Sequence, residues 1–343
     1  MVNVEDLRKE AKRILKEGKV KYVIGYERDQ NGLMPKPAFI KNPDDVDKLI
    51  WDSTCIHNLT KFLVDEKKRI AADKKPDKKP VGIIVKGCDS RAIVVLLQEK
   101  YIDREDVHIL GVSCESTGVI DEKKLTKKLK GKKAEKIEID DTRNFVITAK
   151  GGTIKIPADE LLAERCLDCP ANYPVVYDFL LGDKKKKKVD APFKSLEKME
   201  SLSEDERWAF WTEQLSKCIR CYACRSACPM CYCDECVVDT INFAVTADTS
   251  ASEKAGKIKW VEKSPVPSEN FVYHMVRAMH LAGRCIDCGE CERVCPLDIP
   301  LRFLNKKLEK EAKELFGYDA GFDPDIPSLV SSFKDEDPED FIR

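Results

Sequence analysis

The tightest constraint on this chain is a cysteine pattern that occurs twice. Cys218, Cys221, Cys224 and Cys228 precede Pro229, and Cys285, Cys288, Cys291 and Cys295 precede Pro296, so both segments read C-x2-C-x2-C-x3-C-P. Two-residue gaps let three thiolates from one tight turn reach three irons of a single cubane, while the fourth cysteine points away. In two-cluster ferredoxins that fourth cysteine ligates the other cluster. The pattern therefore assigns Cys218, Cys221, Cys224 and Cys295 to one [4Fe-4S] centre and Cys285, Cys288, Cys291 and Cys228 to a second. Paired C-x2-C motifs also make tetrahedral zinc sites, but this spacing with a following proline, twice over, fits zinc poorly.

The chain holds sixteen cysteines in all. No apolar run approaches the roughly 20 residues that span a bilayer. The opening MVNVEDLRKEAKRIL reads as an amphipathic helix rather than a signal peptide. A cytoplasmic location follows as an expectation, and in a reducing compartment the cysteines are read as metal ligands rather than disulfides. Lysine and arginine (60) balance aspartate and glutamate (61), which removes the electrostatic argument for a nucleic-acid or anionic-membrane partner.

A length of 343 residues suggests two domains. In the first half, Val81 to Val85, Val107 to Val112 and Phe145 to Thr148 read as strands and Ser90 to Tyr101 as a helix, the rhythm of an α/β domain over residues 1–182. The stretch Ala72 to Pro80 reads as an exposed loop. The run DKKKKKVD and the polar residues after it are read as a linker over 183–202, with a docking patch as the alternative. Residues 203–317 read as mainly α-helical. Ser203 with Glu206 has capping-box spacing ahead of Trp208, Trp211 and Leu215. Ser268 is a candidate N-cap ahead of a core stripe of Phe271, Val272, Met275, Val276 and Met279, with Gly283 ending that helix. Pro300 opens a third helix that runs to Gly317. The acidic end, 318–343, reads as a tail that orders only against a partner.

Eight cysteines lie outside the two motifs. Cys88, in VKGCDSRA, falls at a strand-to-helix turn where backbone N–H groups and Arg91 can stabilise a thiolate or bind an anion. Cys114 ends the next strand, and Cys166 and Cys169 form an isolated C-x2-C; together the four suit a third [4Fe-4S] site at a sheet edge. Cys231, Cys233 and Cys236 with Cys55 close the count as a fourth set, by arithmetic alone, and Cys114 and Cys55 can exchange places. His57, His108, His274 and His280 form no pair at metal-binding spacing and read as structural or exposed.

Two resemblances extend this reading. The region 203–317, with CIDCGECERVCPLDIPL as its best-matched run, resembles the α-helical dicluster ferredoxin domain of succinate dehydrogenase iron-sulfur subunits and the small heterodisulfide reductase subunit. Residues 20–182, through GCDSRA, GVSC, CLDC with Pro170, Asp178 and Gly182, resemble the beta subunit of coenzyme F420-reducing hydrogenase and its formate dehydrogenase relatives. The first implies an electron wire inside a larger complex. The second implies a cluster on Cys88, Cys114, Cys166 and Cys169 and leaves room for FAD, with Arg91 as an anion or flavin contact. No G-x-G-x-x-G fingerprint supports a dinucleotide independently. The expectation is an electron-transfer subunit of an anaerobic complex, itself making no substrate bond, with formate dehydrogenase, hydrogenase or heterodisulfide reductase-like partners and ferredoxin as a further one. The rival is a flavoenzyme acting on F420 or a nicotinamide.

Overall fold

The computed structural model describes residues 3–29, 33–114, 118–184, 191–234, 236, 238, 250, 261 and 264–333. The chain divides into two compact units, residues 1–195 with 320–332, and 196–319 with 333–343.

The first unit opens with helix α1 (Val4–Lys16), capped by the Asn3 side chain, which accepts the Glu5 N–H at 3.0 Å. Its buried residues Leu7, Ala11, Ile14 and Leu15 recur at helical spacing, so one face packs inward. Then follow β1 (Val23–Arg28), β2 (Pro35–Ile40), α2 (Lys61–Ala72), β3 (Val81–Val85), α3 (Gly87–Gln98) and β4 (Val107–Val112). Next come α4 (Glu122–Leu129), β5 (Ala134–Ile139), β6 (Asn144–Ala149), β7 (Gly152–Pro157), α5 (Ala158–Leu161), α6 (Glu164–Leu167) and β8 (Phe179–Leu181). One sheet has the order β2-β1-β3-β4-β8, parallel except for β2. All five residues of β3 are buried, as a central parallel strand requires. A second, antiparallel sheet is ordered β5-β6-β7. The expected strand at Phe145 to Thr148 thus exists but lies outside the main sheet.

Lys21, beside β1, pairs with Glu66 of α2 at 2.6 Å, and Arg69 holds the same carboxylate at 2.7 Å. Burial alone raises the Glu66 carboxyl, but hydrogen bonds from Arg69, Lys21 and Tyr22 outweigh it and hold it down at about 2. A folded value below the unfolded one of about 4.3 makes the contribution, about 3 kcal/mol, fully present above pH ~4.3 and lost as the pH falls through ~2. In denaturant titrations, Glu66→Gln is expected to be less stable than the parent near pH 7 by that order, with the gap closing between pH ~4 and ~2. A gap that does not move with pH would remove the ion pair as its cause.

The second unit takes most of α7 (Lys194–Glu200) and all of α8 (Glu204–Ser216), α9 (Ala223–Ser226), α10 (Pro267–Leu281), α11 (Glu290–Arg293) and α12 (Leu301–Phe316). The Ser203–Glu206 capping box forms in both directions, at 2.7 and 3.2 Å. Ser268 is not a cap: Pro267 occupies the first turn and Val266 is the N-cap, as proline's fixed φ and missing N–H favour. Gly317 closes α12 in the left-handed region, φ 62°.

Two expectations about chain organisation meet a different arrangement. Part of the expected linker is the helix α7, while its residues 185–190 lie outside the described residues. The expected tail does not lie free over 320–332. Arg91, 1 % exposed, donates from Nε to the Ala320 carbonyl at 3.0 Å, and its guanidinium lies 4.1 Å from the Phe322 ring centroid. Gln98 donates to the carbonyls of Asp323 and Ile326 at 2.9 and 2.6 Å. The segment is held by its backbone on α3. Among the described residues no helix is long and apolar enough to cross a membrane.

Candidate iron-sulfur sites

The two C-terminal motifs fold as a structural repeat. Arg220 and Asp287, the third residue of each motif, both take positive φ (56° and 52°), as do Tyr222 and Gly289 (59° and 65°). Each turn leads into a single-turn helix, α9 or α11, and the Cys228 and Cys295 N–H groups donate to the Arg225 and Glu292 carbonyls at 3.2 Å. Thus Cys224 and Cys228 in one motif, and Cys291 and Cys295 in the other, face the interior of this unit.

Cys218, Cys221, Cys224 and Cys295, the set drawn from both motifs, line one cavity together with Arg220, Tyr222, Tyr273 and His274. Helix α10 supplies much of the chemistry. Asn270 donates to the Leu215 and Cys218 carbonyls at 3.1 and 2.8 Å and fixes the approach to the first motif. His274 Nε2 lies 3.3 Å from Cys218 Sγ, and burial, helped by Arg277 and Arg220, depresses this imidazole to about 3, so it is neutral. The Tyr273 hydroxyl, on a residue 1 % exposed, abuts Cys224. Arg277 donates to the Cys224 carbonyl at 3.0 Å, and the charges of Cys231, Cys228, Cys224 and Cys291 all bear on its guanidinium.

Among the described residues, Tyr222 Oη, Tyr273 Oη, Arg220 Nε and Nη2 and Arg277 Nε are buried without a hydrogen-bond partner. Such orphaned donors are rare and cost about 1–3 kcal/mol each. Their concentration around a thiol-lined cavity fits an anionic acceptor group there. The thiols agree: burial pushes Cys291 up to about 12 and raises Cys218, Cys224 and Cys285, so a cation must supply the charge that ionises them. Among the described residues no three His, Cys, Asp or Glu side chains converge on the position of a single ion. A cubane asks for a wider spacing, because each thiolate binds its own iron.

Around the second motif, Asp287 accepts from Arg302 and Lys306 at 2.5 and 2.6 Å, and all three are buried. Burial raises the Asp287 carboxyl, and the two cations reverse this, holding it at about 2. Asn305 Nδ2 lies 3.7 Å from Cys291 Sγ. Cys231 lies beside Cys228; Cys233 is exposed and Cys236 half-buried.

In the first unit, three loops meet at the carboxyl edge of the parallel sheet. Cys88 opens α3, Cys114 follows β4, and Cys166 and Cys169 lie in and just after α6. The Cys114 N–H donates to the Asn172 carbonyl at 2.8 Å, and the Val119 and Ala171 N–H groups reach Cys166 and Cys169 sulfurs at 3.4 Å. Burial pushes Cys114 up to about 12 despite the Gly87 N–H that it accepts, and the neighbouring Cys169 and Cys166 add to the push. Cys114 acts likewise on Cys88. Cys114 therefore lies within electrostatic reach of the other three thiols. Cys55 is fully buried, accepts the Asp52 N–H at 3.4 Å and lies 3.9 Å from the Ile50 carbonyl, the setting of a structural thiol; it belongs to the first unit and Cys231, Cys233 and Cys236 to the second.

Beside Cys114 opens a cleft of about 580 Å³, lined by Trp51, Asp52, Thr54, Lys86 and Ser113 and walled by the β5–β6 hairpin. Lys86, 2 % exposed, donates to the Tyr26 hydroxyl at 2.6 Å and the His57 carbonyl at 2.7 Å and pairs with Asp89 at 3.0 Å. Arg91, expected as an anion or flavin contact, does not line this cleft; its guanidinium is taken up by Ala320 and Phe322. Sequence reasoning misses Tyr273 and Arg277 and reads His274 as structural or exposed. A polar set at positions 270, 273, 274 and 277, spaced for one helix face, is the signal that marks them.

No family model matches the chain. It is 24 % identical to the F420-dependent formate dehydrogenase subunit beta of Methanocaldococcus jannaschii, over 93 % of this chain and 92 % of the relative. It is 27 % identical to the F420-dependent formate dehydrogenase 1 subunit beta of Methanococcus maripaludis, over 93 % and 91 %. A chain of the F420-reducing [NiFe] hydrogenase complex from Methanosarcina barkeri superposes with a TM-score of 0.36 at 17 % identity, covering 50 % of this chain and 64 % of that one, a likeness too low to carry weight. Along nearly its whole length the chain is beta-subunit-like, similar to the beta subunits of F420-dependent formate dehydrogenases.

Proposed function

We propose that the chain is the electron-transfer subunit of an anaerobic, F420-linked formate dehydrogenase or hydrogenase-type complex. It carries electrons singly through [4Fe-4S] centres on Cys218/Cys221/Cys224/Cys295, Cys285/Cys288/Cys291/Cys228 and Cys88/Cys114/Cys166/Cys169. One observation carries this reading: four thiols from two motifs share a cavity with buried donors that lack an acceptor. The sulfurs of a cubane are acceptors for those donors, whereas zinc on the same thiols would add none beyond the thiolates. Bound there, a cluster supplies one-electron chemistry. The protein's share is to hold the sulfurs, balance their charge with Arg220 and Arg277, and keep water away. On this reading residues 203–317 form an α-helical dicluster domain, and the formate- or hydrogen-oxidising chemistry belongs to partner subunits.

A second reading is favoured by the cleft beside Cys114. Its size suits a flavin-class cofactor, and a buried ammonium and an indole, Lys86 and Trp51, line it. Held there, FAD would exchange a hydride with F420 or a nicotinamide next to the first-unit thiols, making the chain a flavoenzyme as well as a wire.

Iron, sulfide, zinc and flavin assays on anaerobically purified full chain, with EPR of the reduced state, test both. About eight irons per chain are expected from the two C-terminal centres and about twelve with the third. Bound FAD supports the second reading. Zinc in place of iron, or no metal, overturns the first.

A further inference from the structure

The two motifs share their left-handed turns and short helices but not their charge. At the same left-handed position the first carries Arg220 and the second Asp287, the one buried and the other with its carboxylate tucked against Arg302. Arg220 donates one N–H to the Glu269 carbonyl at 2.9 Å and lies 4.4 Å from the Tyr273 ring centroid, leaving Nε and Nη2 unmatched beside the Cys218 cavity. The same cavity receives His274, 3.3 Å from Cys218 Sγ, and the Tyr273 hydroxyl, which abuts the Cys224 thiol. On the other side Asn305 donates to the Cys291 sulfur at the longer distance of 3.7 Å, and the charges of Glu309 and Asp287 both bear on Cys285. Arg302 and Lys306 pair with Asp287, and with Glu309 counted the two cations and two carboxylates around this motif sum to no net charge. Arg277 does not discriminate, because Cys224, Cys228 and Cys291 all bear on it.

Positive charge and donors to sulfur stabilise the reduced, more negative state of a cluster, and negative charge opposes it. We propose that Arg220, Tyr273 and His274 make the Cys218/Cys221/Cys224/Cys295 centre the higher-potential member of the pair, so that an electron entering the second unit settles there. The step is the transfer of one electron from the reduced Cys285-side centre to the oxidised Cys218-side centre, with no proton moved and no bond made or broken. This deepens the electron-transfer reading and rests on it. The three residues act as positioning residues that set a potential through the sulfurs, and they give the pair a direction.

The test is a potentiometric EPR titration of the full, cluster-loaded chain, with dithionite as reductant. Cys221→Ser, at an exposed ligand of the Cys218 set, identifies which signal belongs to that centre. In the parent protein that signal is expected to be reduced first. Tyr273→Phe keeps the ring and removes only the hydroxyl, and Arg220→Gln removes the charge. Each is expected to lower the reduced-to-oxidised ratio of that centre alone by up to about tenfold at fixed potential, which is 59 mV for a one-electron couple. Arg220→Lys should recover most of the shift. If the Cys218-side centre is reduced second, or the variants move both centres equally or only the Cys285-side one, the proposal is overturned while the cluster reading stands. Fewer than two centres in the parent protein overturns the cluster reading and the proposal together. Because the parent's order alone can overturn it, a variant that fails to fold does not shield the proposal.

Discussion

Cys224→Ala in the full chain is expected to cost about four irons and to release the helices of the second unit from their fixed packing, a loss on the order of 5 kcal/mol or more. The size follows from where the thiols sit. The apolar core of this unit includes Cys224, Cys291 and Cys295 beside Leu215, Tyr273, Ile299 and Leu301, so ligand positions fill places that aliphatic side chains hold elsewhere. Around them Tyr222 Oη, Tyr273 Oη, Arg220 Nε and Nη2 and Arg277 Nε are held out of water with no hydrogen-bond acceptor among the described residues. Without an acceptor each such group opposes folding by about 1–3 kcal/mol, and a metal group bound only by the folded state contributes its binding energy to stability. Hydrogen exchange reads the consequence. Amides of α10 and α12 should lose protection in the variant, while those of β3 and β4 in the first unit keep it. Undiminished protection in α10 together with an unchanged iron content would show that the thiols are ordinary core residues.

How much of this was legible depends on what each segment packs against. β3 and β4 were read with their observed bounds, since a buried parallel strand is a short unbroken apolar run and VGIIV and VHILGV are such runs. β2, PKPAFI, carries two prolines and was not read. It is the edge of its sheet, where a missing N–H is tolerated. The three-stranded sheet showed only through Phe145 to Thr148, because β5 and β7 leave most of their residues partly or fully exposed and have little apolar signal. The largest misreading concerns α10. Its apolar stripe reads as the core side, and Phe271 and Val276 do pack against the core, yet Val272, Met275 and Met279 are exposed while Asn270, Tyr273, His274 and Arg277 are buried. Hydrophobic periodicity finds the buried face only where the neighbours are apolar, and here they are thiols and backbone carbonyls. For the same reason 320–332 read as a free tail: what holds it is a pair of side-chain donors to its carbonyls, invisible to composition.

The first-unit site has a comparable weak point at Gly87. A Cβ built there would lie 1.8 Å from the Ala171 carbonyl oxygen, 2.7 Å from its carbon and 3.0 Å from the Tyr173 oxygen. All three are backbone atoms, so no rotamer change relieves the clash, and overpacking of this kind costs about 3 kcal/mol or more. The residue also ties the site together. It precedes Cys88, its N–H donates to Cys114, and the loop pressed against it follows directly from Cys169. Gly87→Ala must therefore push Cys88 and Cys114 away from Cys166 and Cys169, or deform the start of α3. The variant is expected to lose about four irons on the three-centre reading, with the EPR signals of the two C-terminal centres intact. Cys55→Ala is the comparison. Cys55 is fully buried and its sulfur accepts the Asp52 N–H, so replacing it is expected to leave the iron content unchanged while lowering stability modestly. If Gly87→Ala retains all its iron, the four first-unit thiols are not ligands. If Cys55→Ala loses iron as Gly87→Ala does, Cys55 has exchanged places with Cys114 in the ligand set, and the sheet-edge centre must be rebuilt around it.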